Sequence, residues 1–371
     1  MIRLIRPYVT FDEVAQDLRD MFDSGILTRG TNVEMFRTEI ADFTGAPACY
    51  LASSATTALW VCLKRLGVGS GDEVVVSDFS FPATANVVTD VGATPVFADV
   101  CIETFNMLPQ ALHDCISAKT KAVIFVDALG NPTGLTEIAN ICKDRGLPLI
   151  EDAACAIGSS EAGRRCGSIA DMTCFSFHPR KLLTTGEGGA ITLASDDVES
   201  NSWFSRKLNH GAEGMAGYAM DFTDFGYNFR LSEPQAVIGR AQLRKLDAIV
   251  TARNAIREDY NRRLEPLGFI PQAVGRNVVF NCQSVVFRVP SGASRDALIG
   301  AMRDRGVETT IGTYCQSGTT YYRTKYGKPQ PNAAMLQATT LTLPCFEGVD
   351  VAAVCEALTE SLMGGVAEKA S

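Results

Sequence analysis

The run Phe175-Ser176-Phe177-His178-Pro179-Arg180-Lys181 continues into Leu182-Leu183-Thr184-Thr185-Gly186-Glu187-Gly188-Gly189. It sets one lysine in a polar, glycine-flanked turn between two apolar, strand-like segments. Upstream, Leu147-Pro148-Leu149-Ile150 reads as a buried strand, and Glu151-Asp152-Ala153-Ala154 closes it. A lysine amine can join a carbonyl carbon as a Schiff base, and a carboxylate can keep a heteroaromatic nitrogen protonated. Pyridoxal 5'-phosphate needs both groups from a protein. Lys181 and Asp152 are therefore the candidate catalytic residues. Taken singly, the first reads as a solvated loop lysine and the second as a helix-capping acid. The flanks of Lys181, Phe-Ser-Phe and Thr-Thr-Gly-Glu-Gly-Gly, are what set it apart from a solvent loop.

Such a site also needs a cup for the phosphate and a platform for the ring. Ser54-Ala55-Thr56-Thr57 stands just before a helical stretch, where free N–H groups and the positive dipole end favour a phosphate. Ser176, close to Lys181 in sequence, can add a hydroxyl. Phe79 and Phe81, in Ser77-Asp78-Phe79-Ser80-Phe81-Pro82, are the candidate platforms, with Phe81 preferred.

These groups need a scaffold that brings strand ends together. Apolar runs at Glu73–Ser77, Pro95–Val100, Lys121–Asp127 and Leu147–Asp152 alternate with helical stretches at Thr56–Leu66, Ala83–Val91, Pro109–Ile116 and Thr136–Arg145. Strand–helix alternation predicts crossover units and a mainly parallel, buried sheet. Two more strands are expected at Met172–Phe177 and Gly189–Ala194, with Lys181 between them. Asp152 then falls at the carboxyl end of a strand, where ligands of open α/β sheets bind. Thr10-Phe11-Asp12-Glu13 is a capping box that opens a helix reaching about Phe22, and a second helix is expected over Val33–Phe43. Beyond Leu231 the pattern changes. One long helix is expected over Glu233–Arg263, then strands at Val278–Phe280 and Ser284–Val289, and helices at Arg295–Arg305 and Val351–Leu362. This part reads as a smaller α+β unit.

The length of 371 residues suggests about two domains. A net charge of −8 argues against a general nucleic-acid partner, and no run is long and apolar enough for a membrane span. The N-terminus lacks the apolar core of a signal peptide, so a cytoplasmic location is expected. The twelve cysteines are scattered and form no C-x-x-C pair, and the three histidines have no ligand spacing. Small buried thiols in a reducing compartment, and no metal, are the expected reading.

Together these segments resemble the DegT/DnrJ/EryC1/StrS family of sugar aminotransferases. The similarity runs over most of the chain. It takes in Leu27-Thr28-Arg29-Gly30, Ser54-Ala55-Thr56, Gly71-Asp72-Glu73-Val74, Gly92-Ala93-Thr94-Pro95-Val96-Phe97 and Glu151-Asp152-Ala153-Ala154. It continues through Phe175-Ser176-Phe177-His178, Lys181, Thr184-Thr185-Gly186-Glu187-Gly188-Gly189, Tyr227-Asn228-Phe229-Arg230 and Leu341-Thr342-Leu343-Pro344. The resemblance implies the α/β transferase fold type I: a large domain over 1–245 with a mainly parallel mixed sheet flanked by helices, and a smaller α+β domain over 246–371. It implies pyridoxal 5'-phosphate held covalently as a Schiff base at Lys181, and pyridoxamine phosphate as the nitrogen-carrying form. By position it gives the ring nitrogen to Asp152, the phosphate to Ala55, Thr56 and Ser176, and the stacked ring to Phe81. Asn228 matches an asparagine that reaches the phosphate of a neighbouring subunit, which implies a two-fold homodimer with shared active sites.

The resemblance further implies amino transfer from L-glutamate to a keto sugar, a nucleotide-linked one being preferred, in amino sugar biosynthesis. A keto-cyclitol or other non-nucleotide ketone is the alternative acceptor. Less favoured are a sugar dehydratase, whose members carry His in place of the lysine, and a non-catalytic sensor. Three positions depart from the family pattern. Cys155 stands where Gln or His usually faces the cofactor's phenolic oxygen, and a thiol is a weak donor. Arg180 replaces a small polar residue. Thr313-Tyr314-Cys315-Gln316 occupies the region of a His-Tyr pair near the substrate.

Overall fold

The computed structural model of the chain describes residues 1–367, so the last four residues of the expected second domain lie outside the described residues. Seven strands form one mixed sheet in the order Ala48–Ala52, Gly189–Leu193, Met172–Ser176, Leu149–Asp152, Thr120–Val126, Glu73–Ser77, Thr94–Ala98. Only Gly189–Leu193 runs antiparallel to the rest. Strand residues alternate between the two faces. Val74, Val76, Ala122 and Ile124 pack under the helix Ala55–Arg65 and its neighbours, while Val75, Val123 and Phe125 pack on the opposite side against the helix Leu135–Arg145. Helices thus cover both faces, as a parallel sheet requires.

The expected single helix over Glu233–Arg263 is two helices, Glu233–Leu243 and Leu246–Leu264. Lys245, at φ −114° and ψ 9°, leaves the helical region. The break lets Leu243 and Leu246 both enter the same core cluster, and the Gln242 side chain turns to bond both N and O of Thr184. No glycine or proline marks the break, so the helical pattern reads straight through it. The other expected elements appear within a few residues of their expected ends, and Thr10 does form the capping box with Glu13.

A second, antiparallel sheet runs Ile270–Pro271, Val285–Arg288, Thr340–Leu343, Thr310–Ile311. The first residues of the chain join this part: Ile2 pairs with Val307, and Leu4 O accepts Cys345 N at 3.1 Å. Between the main sheet and Glu233, the helix Val198–Leu208 and the hairpin Ala212–Ala216/Ala219–Phe222 were not anticipated from the sequence. The hairpin is exposed along its length.

Candidate active site

The parallel topology brings Ala52, Ser77, Val126, Asp152 and Ser176 to one edge of the main sheet, where Gly189 begins the antiparallel strand. A cavity of about 250 Å³ opens there, roofed by the second sheet. Phe81, Asp152, Cys155 and Lys181 all line it. Ser54, Ala55, Thr56, Ser176 and Asn228 do not line it, but the first four stand on the same edge. Gly189 pairs with Ala52 on one side and Ser176 on the other.

Asp152 is the last residue of its strand and is 5% exposed. Its Oδ2 accepts the Thr84 hydroxyl at 2.7 Å and its Oδ1 accepts Ala154 N at 3.2 Å. Burial pushes the Asp152 carboxyl above its usual range, while the Thr84 and Ala154 bonds and the charge of Lys181 act in the opposite direction. A cationic ring nitrogen in the cavity would supply the charge partner that burial withholds.

Lys181 sits in the turn after Met172–Ser176, and its Nζ lies 3.0 Å from Cys155 Sγ. The turn is gripped from the second sheet's side of the cavity by Gln283. Its Oε1 accepts Leu182 N at 2.7 Å and its Nε2 donates to Arg180 O at 2.8 Å, so the peptide groups on either side of Lys181 are fixed. Asn281 sets Gln283 in place through its Oδ1 and donates to Cys155 O and Ile157 O through its Nδ2. Reading the sequence missed both residues. The signal was present: Asn281-Cys282-Gln283 is a polar island inside an apolar run. Thr84 carried no signal, because its role depends on a strand that lies 68 residues away.

Two further carboxyls meet beside Asp152: Asp127, which lines the cavity, and Glu151. Asp127 and Glu151 are fully buried. Glu151 Oε2 accepts Thr173 Oγ1 at 2.7 Å and Gly167 N at 3.2 Å, whereas among the described residues no hydroxyl or N–H bonds the Asp127 carboxyl, which faces Glu151 and the Cys166 thiol. Burial, and then the Glu151 charge, push Asp127 well above the carboxylate range. Burial pushes the Glu151 carboxyl up as well, so burial and mutual repulsion both favour the protonated form of the pair.

Phe81 follows the short strand Phe79–Ser80 and is 64% exposed, with one face free in the cavity mouth. The Thr313–Gln316 segment, whose types depart from the family pattern, lies directly against it. Tyr314–Cys315 pairs with Phe79–Ser80, and the Tyr314 ring meets Phe81 edge-on at 6.2 Å. Buried Asp78 anchors this segment by accepting Ser317 N at 2.7 Å and Ser317 Oγ at 2.6 Å.

The phosphate cup can be tested on the backbone. Ser54 caps the helix Ala55–Arg65 by accepting Thr57 N at 3.1 Å, and no acceptor among the described residues meets the N–H groups of Ala55 and Thr56. A Cβ on Gly189 would fall 2.6 Å from Ser54 C, 2.7 Å from Phe175 O and 2.8 Å from Ala55 N. The bare glycine lets the helix end seat against the strand edge beside Ser176. An amine, a buried carboxylate, free helix-end donors and an uncovered aromatic face form a donor set that fits pyridoxal phosphate. Gly189→Ala is expected to displace backbone, which cannot yield as a side-chain tip would. Its cofactor dissociation constant is expected to rise about tenfold or more. Fluorescence titration of the full chain with pyridoxal phosphate checks this, and unchanged affinity would rule out the cup.

Asn228 lies outside the cavity, next to Phe229, whose carbonyl accepts Ser53 N at 2.8 Å.

The DegT/DnrJ/EryC1/StrS aminotransferase family model matches residues 10–359. The spore coat polysaccharide biosynthesis protein SpsC of Bacillus subtilis is 32% identical, with 96% of each chain covered. The GDP-perosamine synthase of Vibrio cholerae is 32% identical over 79% of each chain. A Streptococcus pneumoniae chain solved in its PLP form superposes with a TM-score of 0.89 at 28% identity, covering 96% of this chain and 97% of that one.

Proposed function

Because this chain belongs to the DegT/DnrJ/EryC1/StrS aminotransferase family and is a pyridoxal-phosphate-dependent enzyme, we propose that it moves nitrogen from L-glutamate to a nucleotide-linked keto sugar. The observation that carries this reading is the convergence of Lys181, Asp152 and Phe81 on one cavity beside unpaired helix-end N–H groups. The names of the Bacillus and Vibrio relatives, a polysaccharide biosynthesis protein and a GDP-sugar synthase, support the choice of acceptor.

When bound, the cofactor supplies an electron sink for the charge that develops beside the transferred nitrogen. Lys181 Nζ would hold the cofactor and, as a free amine, would accept the proton from the donor carbon and carry it within the cavity. Asp152 holds the ring nitrogen's proton in place, and Thr84 fixes the carboxylate that does so. The N–H groups of Ala55 and Thr56, with the Ser54 and Ser176 hydroxyls, hold the phosphate. Phe81 covers one ring face. Cys155 would face the phenolic oxygen, under the roof formed by the second sheet.

A two-fold homodimer completes the proposal. Met215, Tyr218, Phe222 and Phe225 expose apolar area on and beside the projecting hairpin, which is unusual without a partner. In that dimer, Asn228 reaches the other subunit's phosphate. All twelve cysteines are free, which fits a reducing compartment, and the cytoplasm is the proposed location. No helix among the described residues is long and apolar enough to cross a membrane. A proposed division near Lys245, where the helix breaks, separates the large domain from the small one.

The deciding measurement is the visible spectrum of loaded enzyme before and after L-glutamate. The lysine-bound band should give way to the pyridoxamine phosphate band, with 2-oxoglutarate released. A lysine-bound band that ignores glutamate would overturn the donor.

A further inference from the structure

Cys155 differs from the other cysteines of this chain. Nine of the twelve are buried. Of the remaining three, Cys101 Sγ lies 3.0 Å from the Glu103 carboxylate, and burial pushes the Cys115 thiol up to about 11. Cys155 alone of these lines the cavity, and it alone has an amine, Lys181 Nζ, at 3.0 Å. Both backbones are held. Asn281 bonds Cys155 O, and Gln283 bonds the peptide groups flanking Lys181. The two side-chain tips therefore meet in a fixed, solvent-reachable place.

We propose that Cys155 and Lys181 form a covalent modification site, in which a peroxide oxidises the thiol and the lysine amine then closes on the oxidised sulfur as an S–N link. In the first step the Cys155 sulfur attacks hydrogen peroxide. The O–O bond breaks, sulfur gains one oxygen as a sulfenic acid and is oxidised by two electrons, and the other oxygen leaves as water. In the second step the neutral Lys181 amine attacks that sulfur. The S–N bond forms, the S–O bond breaks, and the hydroxyl departs with an amine proton as a second water. Sulfenic acids condense with backbone nitrogen in the same way. A dithiol reverses the link: thiolate attacks sulfur, the amine regains its proton, and the dithiol ends as a disulfide. A nearby amine captures the sulfur before a second peroxide can carry it to the irreversible sulfinic acid. The consequence, though not the chemistry, rests on the reading of Lys181 as the cofactor-bearing lysine: a linked Lys181 cannot take pyridoxal phosphate.

The test treats the cofactor-free full chain with hydrogen peroxide and reads intact mass and peptide maps. The expected product is lighter by two hydrogens and yields one joined peptide containing Cys155 and Lys181. Dithiothreitol should restore the original mass. The same loss of mass would come from a disulfide between Cys62 and Cys174, whose sulfurs lie 3.6 Å apart, so the map and the Cys155→Ser variant decide between them. The joined peptide should vanish in Cys155→Ser. In Lys181→Ala no joined peptide should form: dimedone present during the oxidation should trap the sulfenic acid, and without dimedone Cys155 should run on to sulfinic acid. Loaded protein should be protected, and linked protein should lose its capacity to bind pyridoxal phosphate in proportion to the linked fraction. The proposal is overturned if wild-type Cys155 runs to sulfinic acid with no joined peptide, or if the map shows only the Cys62–Cys174 disulfide. A chain that forms the link yet never takes up the cofactor would refute the cofactor reading and leave this site standing.

Discussion

Lys181→Ala is expected to lower turnover on the order of 10⁴-fold or more, since it removes both the group that holds the cofactor and the group that moves the proton. The fold should tolerate the change. Lys181 is only partly buried, and its side-chain bond is to the Cys155 thiol, a weak acceptor. The loss in stability should stay below about 1 kcal/mol. Cofactor should still bind through the helix-end donors and Asp152, but without the lysine-bound visible band. Lys181→Arg sharpens the result, because it keeps the positive charge beside Asp152 and removes only the amine chemistry. Single-turnover assays with L-glutamate, read by 2-oxoglutarate release, separate these effects. Turnover within tenfold of wild type in Lys181→Ala would end the assignment.

Much of this site could be read from the chain because its chemistry sits at strand ends. A parallel sheet converts sequence order into one common edge, so the ends at Asp152 and Ser176 had to converge once the strands were recognised, and the unanticipated strand Ala48–Ala52 carries Ser54 to the same edge. Lys181 was legible from its flanks, which pair as the strands Met172–Ser176 and Gly189–Leu193. What stayed hidden acts across long separations. Thr84 on Asp152, Gln283 on the lysine turn and Asp78 on the Thr313–Gln316 segment are each one polar residue in an ordinary setting, and only tertiary packing gives each its partner. The break at Lys245 was invisible for another reason. No glycine or proline marks it, and the cause is the packing of two leucines and the Gln242 bonds to Thr184. The upward push on the Asp127 and Glu151 carboxyls is likewise a product of burial. Two acids 24 positions apart carry no sequence mark of meeting in the core.

Asp152→Asn should lower turnover roughly 10² to 10³-fold, the scale seen when one preorganised electrostatic partner of a transition state is lost. An amide has nearly the shape of the carboxylate. Its oxygen can still accept Ala154 N. Thr84 Oγ1 lies 3.1 Å from Ser80 Oγ and can turn its proton there while accepting from the new NH₂. Structure should therefore survive, and the loss should fall on chemistry, because a neutral amide cannot hold the ring nitrogen's proton. The same substitution has an opposite expected effect on the cofactor-free protein. Burial raises the Asp152 carboxyl above its unfolded value near 3.8, so the folded chain binds a proton that the unfolded chain has released. Stability contributed by this group is then greatest below the unfolded value, falls as pH rises through the window up to the raised folded value, and stays at its reduced level above it. Asp152→Asn removes that decline, so its urea midpoint should fall less steeply than that of wild type as pH rises through the window. Cofactor binding should reverse the ranking, since the cationic ring stabilises Asp152 and does nothing comparable for an amide. Parallel unfolding curves for the two proteins across the window would show that Asp152 ionises freely in the fold. A variant with wild-type turnover would show that the ring nitrogen is held elsewhere.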